Sequence, residues 1–139
     1  MRSLGRSASL PHIAGAFVLG LTSSPLHAQE WQRADSPFTL GEAYPEVAAT
    51  CETVKYWIDH APDTESRVSF AIKGELVAAE WDGALAYLIM CNEADVQVLC
   101  VTYSKDDRDV GDTVLFGGGY SRVGERQIML DPCLAGLDE

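Results

Sequence analysis

The chain has 139 residues, of which 10 are Lys or Arg and 21 are Asp or Glu, giving a formal net charge of -11. That charge repels phosphate backbones and anionic lipid, so we do not expect nucleic-acid binding, whose affinity comes from neutralising phosphates. A cationic protein or a small ligand is a better partner for such a surface. The length corresponds to a single domain.

The first residues have the charge and hydropathy order of a secretory signal peptide. Arg2 and Arg6 precede an apolar run over residues 13–21, and a short polar stretch then leads to Ala28. A run of about nine residues is too short to span a bilayer, which requires about 20. We therefore expect residues 1–28 to be removed, leaving a periplasmic or secreted protein with no transmembrane segment. An uncleaved interfacial anchor is the alternative.

Removing this segment leaves eight basic residues against 21 acidic ones, a net charge of about -13. All four cysteines, Cys51, Cys91, Cys100 and Cys133, lie in the remaining chain, which we expect to be monomeric. In an oxidising compartment an even cysteine count predicts two disulfides. A zinc site is the rival interpretation, but no two cysteines have the spacing of a zinc knuckle, and His60 is the one histidine left.

The elements begin after a lead-in segment, residues 29–44, which we expect to pack locally through Trp31 and Phe38 or to stay mobile. From residue 45 apolar residues recur at three- and four-residue steps, which predicts an amphipathic helix over residues 45–60. Pro62 disfavours helix in the residue before it and so marks the end. The apolar positions are Val47, Cys51, Val54 and Ile58.

The hydrophobic period then changes to two, which is typical of strands. A long first strand is predicted over residues 67–80, with Gly74 marking a bend or bulge. Further strands are predicted over residues 84–91 and 96–103, and two more within residues 110–133, joined by a turn near residues 121–125. One helix followed by five strands predicts a mainly β domain over residues 45–135, built as a five-stranded antiparallel barrel with the helix over one end.

Several residues mark particular positions in these predicted strands. Gly74 lies centrally in the first, Cys100 in the third, Gly111-Asp112-Thr113-Val114 opens the fourth and Cys133 closes the fifth. This order resembles the OB fold, and more specifically the small exported bacterial proteins of the tRNA-anticodon-binding-like (tRNA_anti-like) type. The chain departs from that pattern in having no helix of any length between the third and fourth strands. A function that used such a helix is therefore not carried over.

Four cysteines allow three pairings, and the residues alone do not choose among them. The resemblance implies that the third and fifth strands are neighbours, which favours Cys100 with Cys133 and leaves Cys51 to pair with Cys91. The competing arrangement joins Cys91 to Cys100 across a hairpin and Cys51 to Cys133.

No catalytic set or cofactor site stands out in the sequence, so we predict a protein that is not an enzyme and needs no cofactor. His60 is the one candidate base, and a helix C-terminal cap is the simpler role for it. The acidic loop of residues 105–112 departs from the EF-hand order and is expected to be solvated, with a weak non-EF cation site as the alternative. The glycine run of residues 117–119 lacks the Lys-Ser/Thr pair of a phosphate loop, so a strand bend explains it.

The OB resemblance implies a ligand-binding face on the second and third strands, flanked by two loops. The residues it names are Trp81, Asp82, Tyr103, Tyr120, Arg122 and Arg126. We predict an exported, disulfide-stabilised, non-enzymatic binding module whose partner is a protein or small ligand. The alternative is a cell-envelope inhibitor or stress protein that docks on a cationic enzyme such as a lysozyme. A hydrolase or metalloprotein is the remaining possibility.

Overall fold

The computed structural model describes residue 15, residues 30–104 and residues 106–137, without the side chain of residue 137. The predicted signal peptide lies outside these residues except for Gly15. The described chain forms one short helix, α1, and seven strands. Their bounds are β1 (Phe38–Leu40), β2 (Ala49–Thr50), α1 (Val54–Asp59), β3 (Val68–Trp81), β4 (Ala86–Met90), β5 (Gln97–Thr102), β6 (Thr113–Gly124) and β7 (Gln127–Leu137).

Five of the strands close into a barrel. They are neighbours in the order β3, β4, β5, β7, β6, and β6 pairs back with β3. The length of β3 makes closure possible, because residues 69–75 pair with β6 while residues 76–81 pair with β4. The prediction of a mainly β protein with a five-stranded barrel is confirmed.

The prediction that this barrel is antiparallel throughout was wrong. β5 and β7 are parallel, with Gln97 facing Gln127 and Cys100 facing Leu130. β7 turns back from β6 by a hairpin and therefore runs in the same direction as β5 when closure brings the two together. The barrel is mixed, because hydrophobic alternation carries no information on strand direction.

The helix predicted over residues 45–60 is also shorter than expected, since α1 spans only Val54–Asp59. Ala49 and Thr50 instead run parallel to β3, and the Thr50 backbone N–H donates to Thr53 Oγ1 at 2.9 Å. Cys51 therefore lies in the turn after β2, not on a helix face. Pairing with β3 and the disulfide at Cys51 outweigh the local helical period.

The lead-in segment contributes a strand that the sequence did not predict. Phe38 in β1 pairs antiparallel with Phe70 of β3 and is 5% exposed. Its ring lies 4.8 Å from that of Phe70 and 5.2 Å from that of Tyr120. Trp31 packs against the same core. This segment therefore extends the sheet beyond the barrel at one edge of β3.

The turn between the last two strands comes later than predicted, because β6 continues to Gly124 and the turn occupies residues 125–126. The predicted glycine bend coincides with a shift in pairing between Gly118 and Tyr120. A Cβ at Gly119 would lie 2.7 Å from the Asp131 carbonyl oxygen, and one at Gly118 would lie 3.0 Å from Cys133 Cα. These glycines thus let β7 approach β6 closely.

The core fills the barrel with side chains from β1 to β7 and from α1. The structure contains two disulfides, Cys51–Cys91 and Cys100–Cys133, so the prediction of two bridges is confirmed, and the pairing is the one that the resemblance implied. Two such bonds are compatible with an oxidising, extracytoplasmic compartment. No helix among the described residues is long and apolar enough to cross a membrane.

Candidate functional site

The outward side of β4 and β5 is apolar, which is unusual for a surface that faces solvent. In β4, Tyr87 and Ile89 are partly exposed between buried neighbours, and in β5 Leu99 and Val101 alternate in the same way. In an antiparallel sheet with one solvated face the outward positions are expected to be polar. Here neither strand has a charged residue.

Strand register joins these side chains into two rows. Ile89 pairs with Ala78 of β3 and with Leu99, and Leu99 pairs with Met129 of β7. Residues paired directly across strands share one face of the sheet. The second row runs through Glu80, Tyr87 and Val101. We call the set Ala78, Glu80, Tyr87, Ile89, Leu99, Val101 and Met129 the outer face.

This face is not the packing surface of another described element. β4 packs chiefly on β3 and β5, and β5 chiefly on β4 and β7, all within the sheet. Its apolar side chains are only partly shielded, and they shield one another. Contiguous apolar surface of this kind marks a site of interaction in many proteins.

The border of the outer face is acidic. Residues 74–104, which include all of β4 and β5, contain five carboxylate side chains and no Lys, Arg or His. Glu80 lies in the second row, and Asp82 follows directly after β3. Asp131 follows the last residue of β7 that pairs with β5, so it lies at the end of the same rows. Arg126 adds one positive charge at the opposite end of the strands, so the net charge around this face is negative, and a cation is the favoured counterpart.

Three aromatic residues lie near the end of β3, β4 and β5 at which the outer face stops. Trp81 pairs with Ala86, and Ala86 pairs with Thr102, so Tyr103 emerges two strands away from Trp81, a distance of about 10 Å at the usual strand spacing. Trp81 is 48% exposed and Tyr103 79% exposed. Tyr87 is the third. Exposed aromatic rings beside carboxylates can hold a cation against the ring face.

Asp82 fixes the loop at this end. Its Oδ1 accepts hydrogen bonds from the backbone N–H groups of Ala84 and Leu85 at 2.8 and 2.7 Å, and its Oδ2 accepts one from the Tyr87 hydroxyl at 3.0 Å. The bonds from Leu85 and Ala84, followed by that from Tyr87, lower the pKa of Asp82. The same bond raises the pKa of Tyr87, and the charge of Asp131 adds to this more weakly. Asp82 thus stays ionised and orients Tyr87.

Arg126 and Arg122, also predicted to flank the site, lie at the other end of the strands. The guanidinium of Arg126 donates to the carbonyl oxygens of residues 93, 94 and 95, which join β4 to β5. Arg122 donates to Gly124 and Glu125 carbonyls at 3.3 and 2.9 Å. The length of β5, at about 3.3 Å per residue, separates this end from Trp81 by about 17 Å. Both arginines therefore brace loops and are not grouped with Trp81, Asp82 and Tyr103.

Tyr120 belongs to a different environment. Its ring packs against Phe38 and Phe70, and burial raises the pKa of its hydroxyl. With Arg122 it lines an open cavity of about 510 Å³. The positively charged residues around this cavity are Arg67 and Arg122, and the negatively charged ones are Glu65 and Asp131. Because these charges cancel, the cavity favours neither an anion nor a cation.

Most of the outer face was not predicted from the sequence. The flanking residues were predicted from the resemblance, but the residues that line the surface between them were not: Tyr87, Ile89, Leu99 and Val101. The available signal was the composition of residues 86–90 and 97–102, AYLIM and QVLCVT, where both strand faces are apolar. That pattern indicates a strand covered on both sides, and here the second cover is missing among the described elements.

Other candidate chemistry is accounted for by local structure. His60 is the C-cap residue of α1, as predicted, and its Nδ1 lies 2.8 Å from the Tyr56 carbonyl oxygen. In the acidic loop the Asp109 N–H donates to Asp112 Oδ2 at 2.8 Å, and Arg108 pairs with Asp106 at 2.9 Å. Lys105 lies outside the described residues. Within them no group of three or more His, Cys, Asp or Glu side chains is arranged to hold a metal.

Comparison with protein-family models and with curated protein sequences found no match for this chain.

Proposed function

We propose that this protein is an exported, non-enzymatic binding module built on an OB-like barrel, and that it recognises a cationic protein through the outer face. The single observation that carries the proposal is the partly exposed apolar surface of β4 and β5 within a stretch that has five carboxylates and no basic residue. These side chains are partly in contact with water, so a partner that covers them gains apolar burial.

Charge and aromatic content point to the chemistry of that partner. Lys and Arg side chains would meet Glu80 and Asp82 at the border and the rings of Trp81 and Tyr103 at one end. An anionic partner would bring like charges together, which is unfavourable at a desolvated interface. A protein with an apolar patch ringed by basic residues is therefore the expected counterpart.

The strand order supports the OB-like assignment. Closure of the barrel in the order β3, β4, β5, β7, β6 places the third barrel strand beside the fifth, as the resemblance implied. The outer face then corresponds to the second and third barrel strands, where OB domains bind. The signal-like residues 1–28 and the two disulfides support export.

A narrower version is a cell-envelope inhibitor or stress protein that docks on a cationic enzyme such as a lysozyme. The acidic border favours it, because electrostatic steering accelerates association with a basic enzyme and weakens as salt screens the charges. Lysozyme activity measured over a salt series would test it. Inhibition that falls steeply with salt is expected, and no inhibition at low salt would exclude this version.

The general proposal is tested by binding of two basic proteins, lysozyme and cytochrome c, and an acidic albumin to the immobilised oxidised protein. The test variant is Ile89→Lys with Leu99→Lys, which reverses the charge of the outer face at partly exposed positions. We expect the wild type to bind at least one basic protein and not the albumin. The double variant should bind about tenfold more weakly or worse, a loss of about 1.4 kcal/mol.

The matched control is Val110→Lys with Leu134→Lys, which adds the same two charges at positions that are 63% and 68% exposed and outside the outer face. This control should lose much less affinity than the outer-face variant, since only the long-range charge changes. Equal losses in both variants would indicate non-specific attraction to an acidic protein and would reject the outer face. Circular dichroism and thermal unfolding of each variant establish that the barrel is intact.

A further inference from the structure

The two disulfides differ in their access to solvent. Cys100 and Cys133 are 0% and 3% exposed and belong to the core, whereas Cys51 is partly exposed. Cys51 and Cys91 both line an open cavity of about 240 Å³ at the surface. Disulfide exchange requires a thiolate to reach one of the sulfur atoms. Among the residues that the structure describes, only the Cys51–Cys91 bond offers such an approach.

We propose that Cys51–Cys91 is a thiol-exchange site, open to a dithiol reductant while the barrel stays folded. A thiolate of the reductant attacks Cys51 Sγ, the bond to Cys91 breaks, and Cys91 leaves as a thiolate that takes a proton. The product is a mixed disulfide at Cys51. The second thiol of the reductant then attacks the reductant's sulfur atom in that mixed disulfide, and Cys51 leaves as a thiolate. The reductant is thereby oxidised to its disulfide, and both cysteines are reduced.

The direction of attack follows from burial. Cys91 is 2% exposed, so Cys51 presents the accessible sulfur. Cys91 also has φ of 73°, in the left-handed region that non-glycine residues avoid. Its backbone N–H donates to the Glu75 carbonyl oxygen at 3.4 Å, a contact that does not depend on the bridge, so Cys91 keeps its place as the leaving group.

Opening this bond would loosen one segment without opening the barrel. Cys51 lies between β2 and α1, and Cys91 follows β4, so the bridge ties the segment of residues 49–60 to the β4–β5 connection. The barrel is closed independently by the pairing of β3 with β6 and by Cys100–Cys133 between β5 and β7. The reduced state is therefore a closed barrel in which residues 49–60 lose their covalent tie and are held only by the pairing of β2 with β3 and by the buried side chains of α1.

Charge around the cavity selects the reductant. Its walls carry three carboxylates, Glu52, Glu75 and Asp95, and one ammonium group, that of Lys73. An approaching thiol that carries an extra negative charge is repelled, while one with a positive charge is attracted. The site is therefore suited to a neutral or cationic thiol, or to an oxidoreductase with basic residues beside its active dithiol.

The test is partial reduction of the oxidised protein with dithiothreitol, followed by alkylation and peptide mapping at successive times. We expect Cys51 and Cys91 to be alkylated at least tenfold faster than Cys100 and Cys133. With a monothiol in place of the dithiol, the trapped mixed disulfide should be on Cys51. Equal rates for the two bridges, faster opening of Cys100–Cys133, or trapping on Cys91 would each overturn the proposal.

Charge selection is tested with cysteamine, 2-mercaptoethanol and 2-mercaptoethanesulfonate, comparing rates per thiolate. The cationic thiol should react fastest and the anionic one slowest, and added salt should reduce the difference between their rates. Glu52→Gln with Glu75→Gln should also reduce this difference in rates, while Glu65→Gln, at a residue that lines a different cavity, should not.

Hydrogen exchange of the reduced protein tests the effect on the fold. Amide protection should fall in residues 49–60 and be kept in β6 and β7. Loss of protection throughout the protein would reject the separate loosening of this segment.

Discussion

The two disulfides close loops of nearly the same length and span nearly the same distance, yet they join different parts of the molecule. Their sequence separations are 40 and 33 residues, and their Cα–Cα distances are 5.5 and 5.4 Å. On the chain-entropy model each loop is worth about 4 kcal/mol. Entropy of the unfolded chain therefore does not distinguish them, and any difference in effect comes from the folded surroundings.

Those surroundings differ in packing. The Cys100–Cys133 sulfurs belong to the core of the barrel, beside the parallel pair of β5 and β7. The Cys51–Cys91 bridge instead lies at the rim of the barrel, where it joins the buried Cys91 to the partly exposed Cys51. It contacts Gly74 of β3, where a Cβ would stand 2.8 Å from Cys51 Sγ. The first bridge is part of the barrel wall, whereas the second ties an added segment to it. Two disulfides of the same span can therefore have different roles, one as part of the core and the other as a tie between a surface segment and the barrel.

The largest expected effect is that of removing each bridge in turn. Cys100→Ala with Cys133→Ala should cost about 4–6 kcal/mol of unfolding free energy, because the entropic term is joined by lost packing of buried sulfur. Cys51→Ala with Cys91→Ala should cost about 2–4 kcal/mol, since less packing is lost and the strain at Cys91 remains in both states. Urea unfolding of the two double variants measures both values.

Expression under identical oxidising conditions and mass confirmation of the remaining bridge are the controls for that comparison. If the Cys51→Ala, Cys91→Ala protein proves as unstable as the Cys100→Ala, Cys133→Ala protein, the segment of residues 49–60 is an integral part of the barrel's folding unit. The separation of the molecule into a wall and a fastened segment would then be wrong.

A smaller effect is expected when alanine replaces Gly74. Its Cβ would meet Cys51 Sγ at 2.8 Å and Met90 Sδ at 2.9 Å, and overpacking of this kind costs about 1–3 kcal/mol. Met90 has a flexible side chain that can move, but the bridged sulfur cannot move as freely. In the Cys51→Ala, Cys91→Ala background the cost should therefore fall by at least about 0.5 kcal/mol, which a double-mutant cycle detects.

The core bridge provides the matched background for this cycle. In the Cys100→Ala, Cys133→Ala protein, substitution at Gly74 should cost as much as in the wild type, because that bridge makes no close contact at Gly74. A reduced cost in both backgrounds would mean that general loosening, and not contact with Cys51, relieves the clash.

Much of the barrel could be predicted from the sequence because its strands alternate or are continuously apolar between clear turn signals. The long first strand, predicted over residues 67–80, is β3 at Val68–Trp81, and the strand predicted over residues 96–103 is β5 at Gln97–Thr102. Gly74 was assigned to a bend, but the shift in pairing lies between Leu76 and Ala78. Gly74 is required by contact with the bridge, which a local pattern does not encode.

The remaining elements depend on contacts between distant residues. Val47, Val54 and Ile58 fit a helical period, but Ala49 and Thr50 pair with β3, so the helix begins only at Val54. β1 is three residues long and exists because Phe38 packs on Phe70. Neither interaction could be predicted from the local sequence, because both are contacts with β3. Tertiary pairing of this kind overrides weak local preference.

The residues at one end of the candidate site could be predicted from the sequence, but the strand residues of the outer face could not. Trp81, Asp82 and Tyr103 were named because the resemblance assigned ligand contacts to the loops. The outer face between them, at Ile89 and Leu99, was not named because apolar strand residues are normally buried. Only the closure of the barrel determines which of the two apolar sides of β4 and β5 remains outside.

The smallest effect concerns the backbone at Cys91, and it separates the two bridges at the level of single residues. In a Cys51→Ala background, Cys91→Gly should be more stable than Cys91→Ala by about 1 kcal/mol, because φ of 73° strains a residue with a Cβ. In a Cys100→Ala background the order at Cys133 should be the reverse. Cys133 lies in β7 without a positive φ, where glycine is about 0.5–1 kcal/mol worse than alanine. Urea unfolding of the four proteins measures this sign change. If alanine is preferred at both positions, residue 91 carries no backbone strain in the absence of the bridge, and this difference between the two bridges would have to be given up.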